Sequence, residues 1–109
     1  SRAHLEASRR CLRACQEVLF RWPGSTKNPE SLRTCLAETS WRLGDLAAAR
    51  AECREALAIL EKRGSSKAYA TVFALWIFAN VAFEEQSWSE VRAAVRSAQE
   101  SVARLEASG

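Results

Sequence analysis

Small and medium apolar residues recur along this chain at a constant interval of 42 residues. The four recurring sets are Ala7, Ala49 and Val91; Cys11, Cys53 and Val95; Ala14, Ala56 and Ala98; and Val18, Leu60 and Val102. Each set falls at a matched phase of three helical stretches, with alanine where two helices have to approach closely. A period of about 20 to 50 residues is typical of solenoids, in which stacked helical pairs bury a shared core. The pattern therefore predicts an all-α fold of stacked helix hairpins, and solenoids commonly bind other proteins.

Length and composition are those of a single helical domain. The chain has 109 residues, of which 48% are hydrophobic and 27% are charged, as in ordinary globular proteins. Two prolines and four glycines are too few for the turns of a β-sandwich, whereas Ala, Arg, Leu and Glu favour helices. Because the chain does not begin with methionine, we expect residues 1–109 to be one domain of a longer protein.

Apolar stripes and end signals predict five helices. We place them at residues 3–21, 29–43, 46–62, 67–85 and from 87 onward. Asn28 is a suitable cap before Pro29, and Gly44 followed by Asp45 ends one helix and caps the next. So short a junction favours two antiparallel neighbours. Start and stop signals at the other ends are Pro23-Gly24, Gly64, Ser65 or Ser66, and a capping-box pattern of Ser87 with Glu90.

The fourth predicted helix is apolar on nearly all sides. The stretch from Ala68 to Phe83 carries no charge, and it is shorter than the roughly 20 residues that a membrane span requires. A helix of this kind is normally buried between neighbouring helices. We therefore expect no membrane association.

The four cysteines fall within predicted helices and form no CxxC pair. Cys11 and Cys53 share one phase of the recurring pattern, so we expect them in the core, where a free cysteine behaves as a small apolar residue. Cys11 and Cys15 lie one helical turn apart, with His4 two turns earlier, but zinc requires four converging ligands. We expect no metal site, and the spacing indicates a reduced, cytoplasmic protein rather than a disulfide framework.

Residues that could support catalysis or bind a cofactor are not arranged for either. His4 is the only histidine, and nucleophilic machinery usually needs one beside its nucleophile. Glu84 and Glu85 are adjacent in sequence and so point to different helix faces, unlike a paired acid and base. No glycine-rich phosphate loop occurs. We expect a protein that is not an enzyme and binds no cofactor.

A basic N-terminal third leaves nucleic-acid binding as an unfavoured alternative. Residues 1–33 contain seven Lys or Arg against three Glu. The residues that would carry this function are Arg9, Arg10, Arg13 and Lys27. A charged segment of this kind is most often a solvated helix face, and no dense basic stripe or aromatic-interleaved motif is present.

The middle of the chain resembles a tetratricopeptide repeat. The matching residues are Leu36-Ala37, Gly44-Asp45-Leu46, Ala49 and Ala56-Leu57. A second, weaker match runs through Phe78-Ala79, Gln86-Ser87-Trp88, Val91 and Ala98, with Gln86 in place of the turn glycine and Val91 in place of the small alanine. The family repeat is about 34 residues long, so the excess here lengthens loops or first helices. The resemblance implies a right-handed α-solenoid with residues 3–21 as the second helix of a preceding repeat; the alternative is a generic bundle of helical hairpins.

The resemblance also implies a concave groove that holds a peptide. The first helix of each hairpin would present Thr34, Glu38, Trp41, Arg42, Phe73, Trp76, Asn80, Phe83 and Glu84. Aromatic and arginine side chains dominate interface energies, although the same aromatics would also suit a core. Some members of the family clamp a chaperone's C-terminal carboxylate with Lys and Asn one turn apart. Glu38 stands at one such position here and would repel a carboxylate, so we do not expect that ligand.

The ends of the stack are candidates for self-association. A solenoid needs a polar cap at each end, and contiguous exposed apolar patches usually mark an interface. We expect Leu5, Leu12 and Leu19 at the front, together with the apolar fourth helix, to be left open. The chain should therefore form a homodimer, or should contact the rest of a longer protein through these surfaces.

Overall fold

The computed structural model of the protein describes residues 1–25, 29–64 and 68–108. Its helices are α1 (Arg2–Arg21), α2 (Pro29–Arg42), α3 (Leu46–Arg63), α4 (Ala68–Glu84) and α5 (Trp88–Ser108), with a 3₁₀ turn at Pro23–Ser25. These ranges contain no strand, so the all-α class is confirmed. Each predicted helix boundary lies within one residue of the observed one. The cap predicted at Asn28 and the start predicted at Ser65 or Ser66 fall outside the described residues.

The helices pack as two hairpins with α1 in front. α2 lies against α3, and α4 lies against α5, while α4 also contacts α3 and α2. The first hairpin is antiparallel, because Glu30 at the start of α2 is 3.5 Å from the Arg63 guanidinium at the end of α3. α1 contacts α2. These contacts put α4 in the groove between α2 and α3.

The two hairpin turns are built in the same way. In each turn one residue in the left-handed region closes the helix: Gly44 with φ 84° and Gln86 with φ 58°. The shared backbone hydrogen bonds run from Gly44 to Trp41 and from Asp45 to Ser40, and from Gln86 to Phe83 and from Ser87 to Ala82, at 2.9 to 3.0 Å. This is the pairing of a Schellman motif, which satisfies the last helical carbonyls. The second hairpin therefore leaves its turn in the same direction as the first.

The predicted helix cap is observed at the first hairpin turn, and it is observed only in part at the second. The Asp45 side chain accepts a hydrogen bond from the Ala48 N–H at 3.2 Å, as predicted. The predicted capping box of Ser87 and Glu90 is present in part. The Glu90 carboxylate accepts a hydrogen bond from the Ser87 side chain, whereas the Ser87 N–H donates to the Ala82 carbonyl. The Glu90 carboxylate also accepts from Arg50 of α3, so a long-range ion pair is added to the local cap.

The core lies where α4 enters the first hairpin. Ala37, Ala49, Cys53, Ile77 and Val81 form one cluster with no solvent exposure. The small side chains on α2 and α3 let α4 approach closely, so that the larger Ile77 and Val81 fill the space between them. Burial raises the pKa of the Cys53 thiol to about 12. The core position predicted for Cys53 is confirmed.

α1 does not share this environment. Cys11 and Cys15 are exposed, so the core position predicted for Cys11 is wrong. The reason is that α1 packs through the side that carries Leu5, Leu12 and Leu19, which are half-buried. The expectation that these three leucines are left open is therefore wrong as well. No hairpin partner covers the side of α1 that carries Cys11 within the described part of the chain.

Candidate functional site

α4 exposes an aromatic face on one side and buries an aliphatic face on the other. Tyr69, Phe73, Trp76 and Phe83 are each between 41% and 80% exposed. Their spacing of three, four and seven positions places them on one side of the helix. The remaining sides of the helix carry its buried residues, among them Ala74, Ile77, Val81 and Ala82. The sequence left open whether α4 is core or interface, and the structure makes it both: one side is buried, and the aromatic side is exposed as expected for an open surface.

An aromatic contact joins this face to α2. The ring centroids of Trp41 and Trp76 are 5.5 Å apart and nearly perpendicular. Those of Phe73 and Trp76 are 6.0 Å apart and nearly parallel. The Arg42 guanidinium lies 5.6 Å from the centroid of the Trp41 ring, within cation–π range. We call these four residues the aromatic surface; it runs without interruption across α2 and α4.

Two polar residues border the aromatic surface. The Glu38 carboxylate is 3.2 Å from the Arg42 guanidinium, one helical turn away. The Asn80 side-chain amide donates to the Trp76 carbonyl at 2.8 Å, which leaves the amide oxygen as an acceptor. Because Glu38 and Arg42 oppose each other in charge, the surface favours neither an acidic nor a basic ligand strongly. Of the predicted groove residues, six are thus brought together.

Three other predicted residues stand apart. Phe83 pairs with Trp88 at the start of α5, with centroids 5.3 Å apart, rather than with Trp76. Glu84 is exposed at the end of α4. Thr34 is buried, and its hydroxyl donates to the Glu30 carbonyl at 2.7 Å, so the groove position expected for it is wrong. Phe83 and Glu84 extend the face of α4 beyond the aromatic surface without touching it.

Tyr69 and Cys35 are neighbours of this surface that were not predicted. Tyr69 lies four residues before Phe73 on the same face, a spacing that would have identified it. Cys35 and Phe73 line a small cavity of about 150 Å³ between α2 and α4. Burial, followed by the Glu38 charge, raises the pKa of the Cys35 thiol. This thiol is therefore less reactive than its exposed position alone would indicate.

A larger open cavity lies elsewhere. It has a volume of about 870 Å³ and includes Arg13, Phe20, Pro29, Arg33 and Ile59, on the side of α1 and the first hairpin. Arg33 is already ion-paired there with Glu52 and Glu55. No residue of the aromatic surface lines this cavity. Size alone therefore does not favour it, since a binding site is better indicated by convergent chemistry.

The described ranges give little support for a metal site, a membrane-spanning helix or a nucleic-acid-binding site. They contain no group of three or more His, Cys, Asp and Glu residues placed to hold a metal ion. No helix in them is long and apolar enough to cross a membrane. Of the basic residues in the N-terminal third, Arg9 forms an ion pair with Asp45 at 3.0 Å, and Lys27 lies outside the described residues. Arg10 and Arg13 are exposed on α1.

Comparison with protein-family profiles, with curated proteins and with solved structures gives no match for this chain. Its function is therefore inferred from its own surface.

Proposed function

We propose that this chain is a non-catalytic scaffold of the tetratricopeptide type, a right-handed solenoid that binds a protein segment on the aromatic surface. The observation that carries the proposal is the unbroken contact of Trp41, Trp76 and Phe73 with the Arg42 guanidinium at its edge. Large rings bury much area with few rotatable bonds, and arginine adds forked donors. Phe73 and Trp76 are exposed to solvent beside the half-buried Trp41, and an exposed apolar patch of this kind is typical of a binding surface.

The packing of the helices supports a solenoid. α4 contacts both helices of the first hairpin, as the first helix of a following repeat does. The turn hydrogen bonds recur at the same interval as the apolar residues, so the second hairpin can stack on the first in a constant direction. Stacked hairpins of this kind generate extended concave surfaces. The aromatic surface spans the first helices of both hairpins, where such a surface would lie.

The chemistry of the surface indicates the kind of segment that it binds. Three rings provide apolar contact, while the paired charges of Glu38 and Arg42 leave little net field. The Asn80 amide oxygen is available to a backbone N–H donor. An apolar or aromatic peptide segment of low net charge fits these features best. The three exposed free cysteines favour a reducing compartment such as the cytoplasm.

A pull-down of native partners tests the proposal. Trp76→Ala removes the central ring, and Arg42→Glu reverses the charge at the edge of the surface. Trp22→Ala is the matched control, because Trp22 is an exposed tryptophan at the end of α1. Circular dichroism of each variant verifies folding. We expect the first two variants to lose a partner that the control retains; unchanged capture of every partner by Trp76→Ala and Arg42→Glu would refute the assignment.

A further inference from the structure

One arginine on α1 and one on α3, at similar positions of the two helices, each contact a carboxylate at the turn of the hairpin that follows in the chain. On α1, Arg9 is 3.0 Å from the Asp45 carboxylate in the first turn. On α3, Arg50 donates from Nε to Glu85 at 3.0 Å and from Nη2 to Glu90 at 2.9 Å. The residue that follows Arg50 at the interval of the apolar pattern is Arg92 on α5. In each occupied case an arginine receives a carboxylate from the turn of the hairpin stacked against it.

The Arg50 contacts fix α4 in the first hairpin. α4 lays Ile77 and Val81 on the small residues of α2 and α3, and its C-terminal end then reaches Arg50. The Arg50 guanidinium also lies 5.3 Å from the centroid of the Phe78 ring. Hydrogen bonds from Arg50 are the main cause that lowers the pKa of Glu90 to about 2. The first hairpin thus recognises an apolar helix that is followed by acidic residues.

The second hairpin presents the same features, and among the described helices α5 contacts only α4. Val95, the counterpart of Cys53, is 45% exposed whereas Cys53 is 0% exposed. Val102, the counterpart of Leu60, is 41% exposed whereas Leu60 is 1% exposed. These valines line an open groove of about 600 Å³ between α4 and α5. Its walls are mostly apolar, as are those that receive α4 in the first hairpin.

Two arginines near the start of α5, outside the lining of the groove, also match those of the first hairpin. Arg92 and Arg96 follow Arg50 and Arg54 at the interval of the apolar pattern. Arg54 lies 3.6 Å from the Glu90 carboxylate, so both members of the earlier pair contact acidic groups. Arg92 and Arg96 are exposed and make no ion pair within residues 1–25, 29–64 and 68–108. Because the two turns share their hydrogen bonds, this second pair has the same placement relative to its groove.

We propose that the groove between α4 and α5 binds an apolar helix of a partner protein that ends in an acidic turn, with Arg92 and Arg96 receiving its carboxylates. The charge of the arginine pair selects the acidic end, and the valines select the apolar side. A second copy fits less well, because the one helix of this chemistry in the described ranges, α4, already buries Ile77 and Val81 in its own groove. α1 ends in Arg21 rather than in an acidic turn. The groove adjoins the aromatic surface: Trp76 lines the groove, and Phe73 and Trp76 line a neighbouring cavity together with Val102.

The chain's own α4 supplies the probe. A labelled synthetic peptide of residues 68–90, with Tyr69, Phe73, Trp76 and Phe83 replaced by Gln for solubility, keeps the buried face and the acidic end. We expect it to bind the full chain in a fluorescence anisotropy titration. Arg92→Gln should weaken binding about tenfold, because a charge-assisted contact is lost. Raising the salt from about 50 to about 300 mM should weaken it further, since the contact is electrostatic.

Matched variants identify the surface that binds the peptide. Arg10→Gln, at an exposed arginine on α1, should leave the affinity unchanged, and so should Trp22→Ala at the exposed end of the same helix. Val95→Asp should abolish binding. Arg92→Glu should regain affinity for a peptide in which Glu85 and Glu90 are replaced by Lys, a rescue that a purely structural role would not give. Equal affinity of Arg92→Gln and the unmodified chain, absence of binding, or a dimer that Arg92→Glu dissociates would each overturn the proposal.

Discussion

Truncation of Ile77 tests the packing of α4 most sharply. Ile77 has no solvent exposure, and Ala37, Ala49 and Cys53 surround it in the same cluster. These neighbours are small and have few alternative rotamers, so they cannot collapse into the space that Ile77→Ala would leave. The cost should therefore lie in the upper part of the usual range, at about 4 kcal/mol. A loss of that size lowers the melting temperature of a domain of this length by roughly 15 to 25 °C.

Urea unfolding followed by circular dichroism measures this loss. Val95→Ala is the control, since Val95 is an apolar residue on α5 that is 45% exposed. We expect Val95→Ala to lower the free energy of unfolding by less than about 1 kcal/mol. The Val95 side chain buries little apolar area on folding, and alanine has a higher helix propensity than valine. If Ile77→Ala cost no more than Val95→Ala, the inference that α4 fills the groove of the first hairpin would be refuted.

Four further predictions follow from the turns, the ion pairs and the exposed surfaces. The pKa of Glu90 is lowered from 4.5 to about 2, so its contribution to stability is present above pH 4.5 and is lost as the pH falls towards 2. Arg50→Gln should flatten this acid-side slope in urea titrations, and an unchanged slope would contradict the ion pair. Gln86→Gly should raise the free energy of unfolding by up to about 1 kcal/mol, because Gln86 has a positive φ, and Gly44→Ala should lower it by about the same amount; equal signs for the two would contradict the shared turn. Alkylation of the native protein should modify three of the four thiols and spare Cys53, whereas modification of all four at one rate would show that the core is open. Sedimentation should show association that rises with concentration, and a concentration-independent monomer would exclude the homodimer.

Local signals in the sequence were sufficient for the helices. Gly44 with Asp45, and Gly64 after α3, end and cap helices through contacts within a few residues, which a sequence shows directly. Burial was less predictable because it depends on distant neighbours. Cys11 and Cys53 occupy the same phase, yet only Cys53 has a hairpin partner and a following helix on its two sides. A repeated sequence position does not guarantee a repeated environment at the end of a stack.

The candidate site could be predicted only in part. Trp41 and Trp76 meet because α2 and α4 are neighbours, which the family resemblance implied and helical periodicity alone did not. The side of α4 that faces the core could not be deduced from its own residues, since both sides are apolar. The small residues of α2 and α3 decide it. The contacts of Arg50 with Glu85 and Glu90 join residues far apart in the chain, and only the recurrence of arginine at Arg92 signals them.

Site-specific cross-linking tests the central claim that the aromatic surface binds a protein segment. A photoreactive phenylalanine analogue would replace Phe73 in one protein and Phe20 in another, because both are exposed and only Phe73 contacts Trp76. After illumination in an extract of the source cells, we expect a defined protein adduct from position 73 that Arg42→Glu abolishes, and none from position 20. Absence of an adduct at position 73, or the same adduct from both positions, would contradict the proposed function.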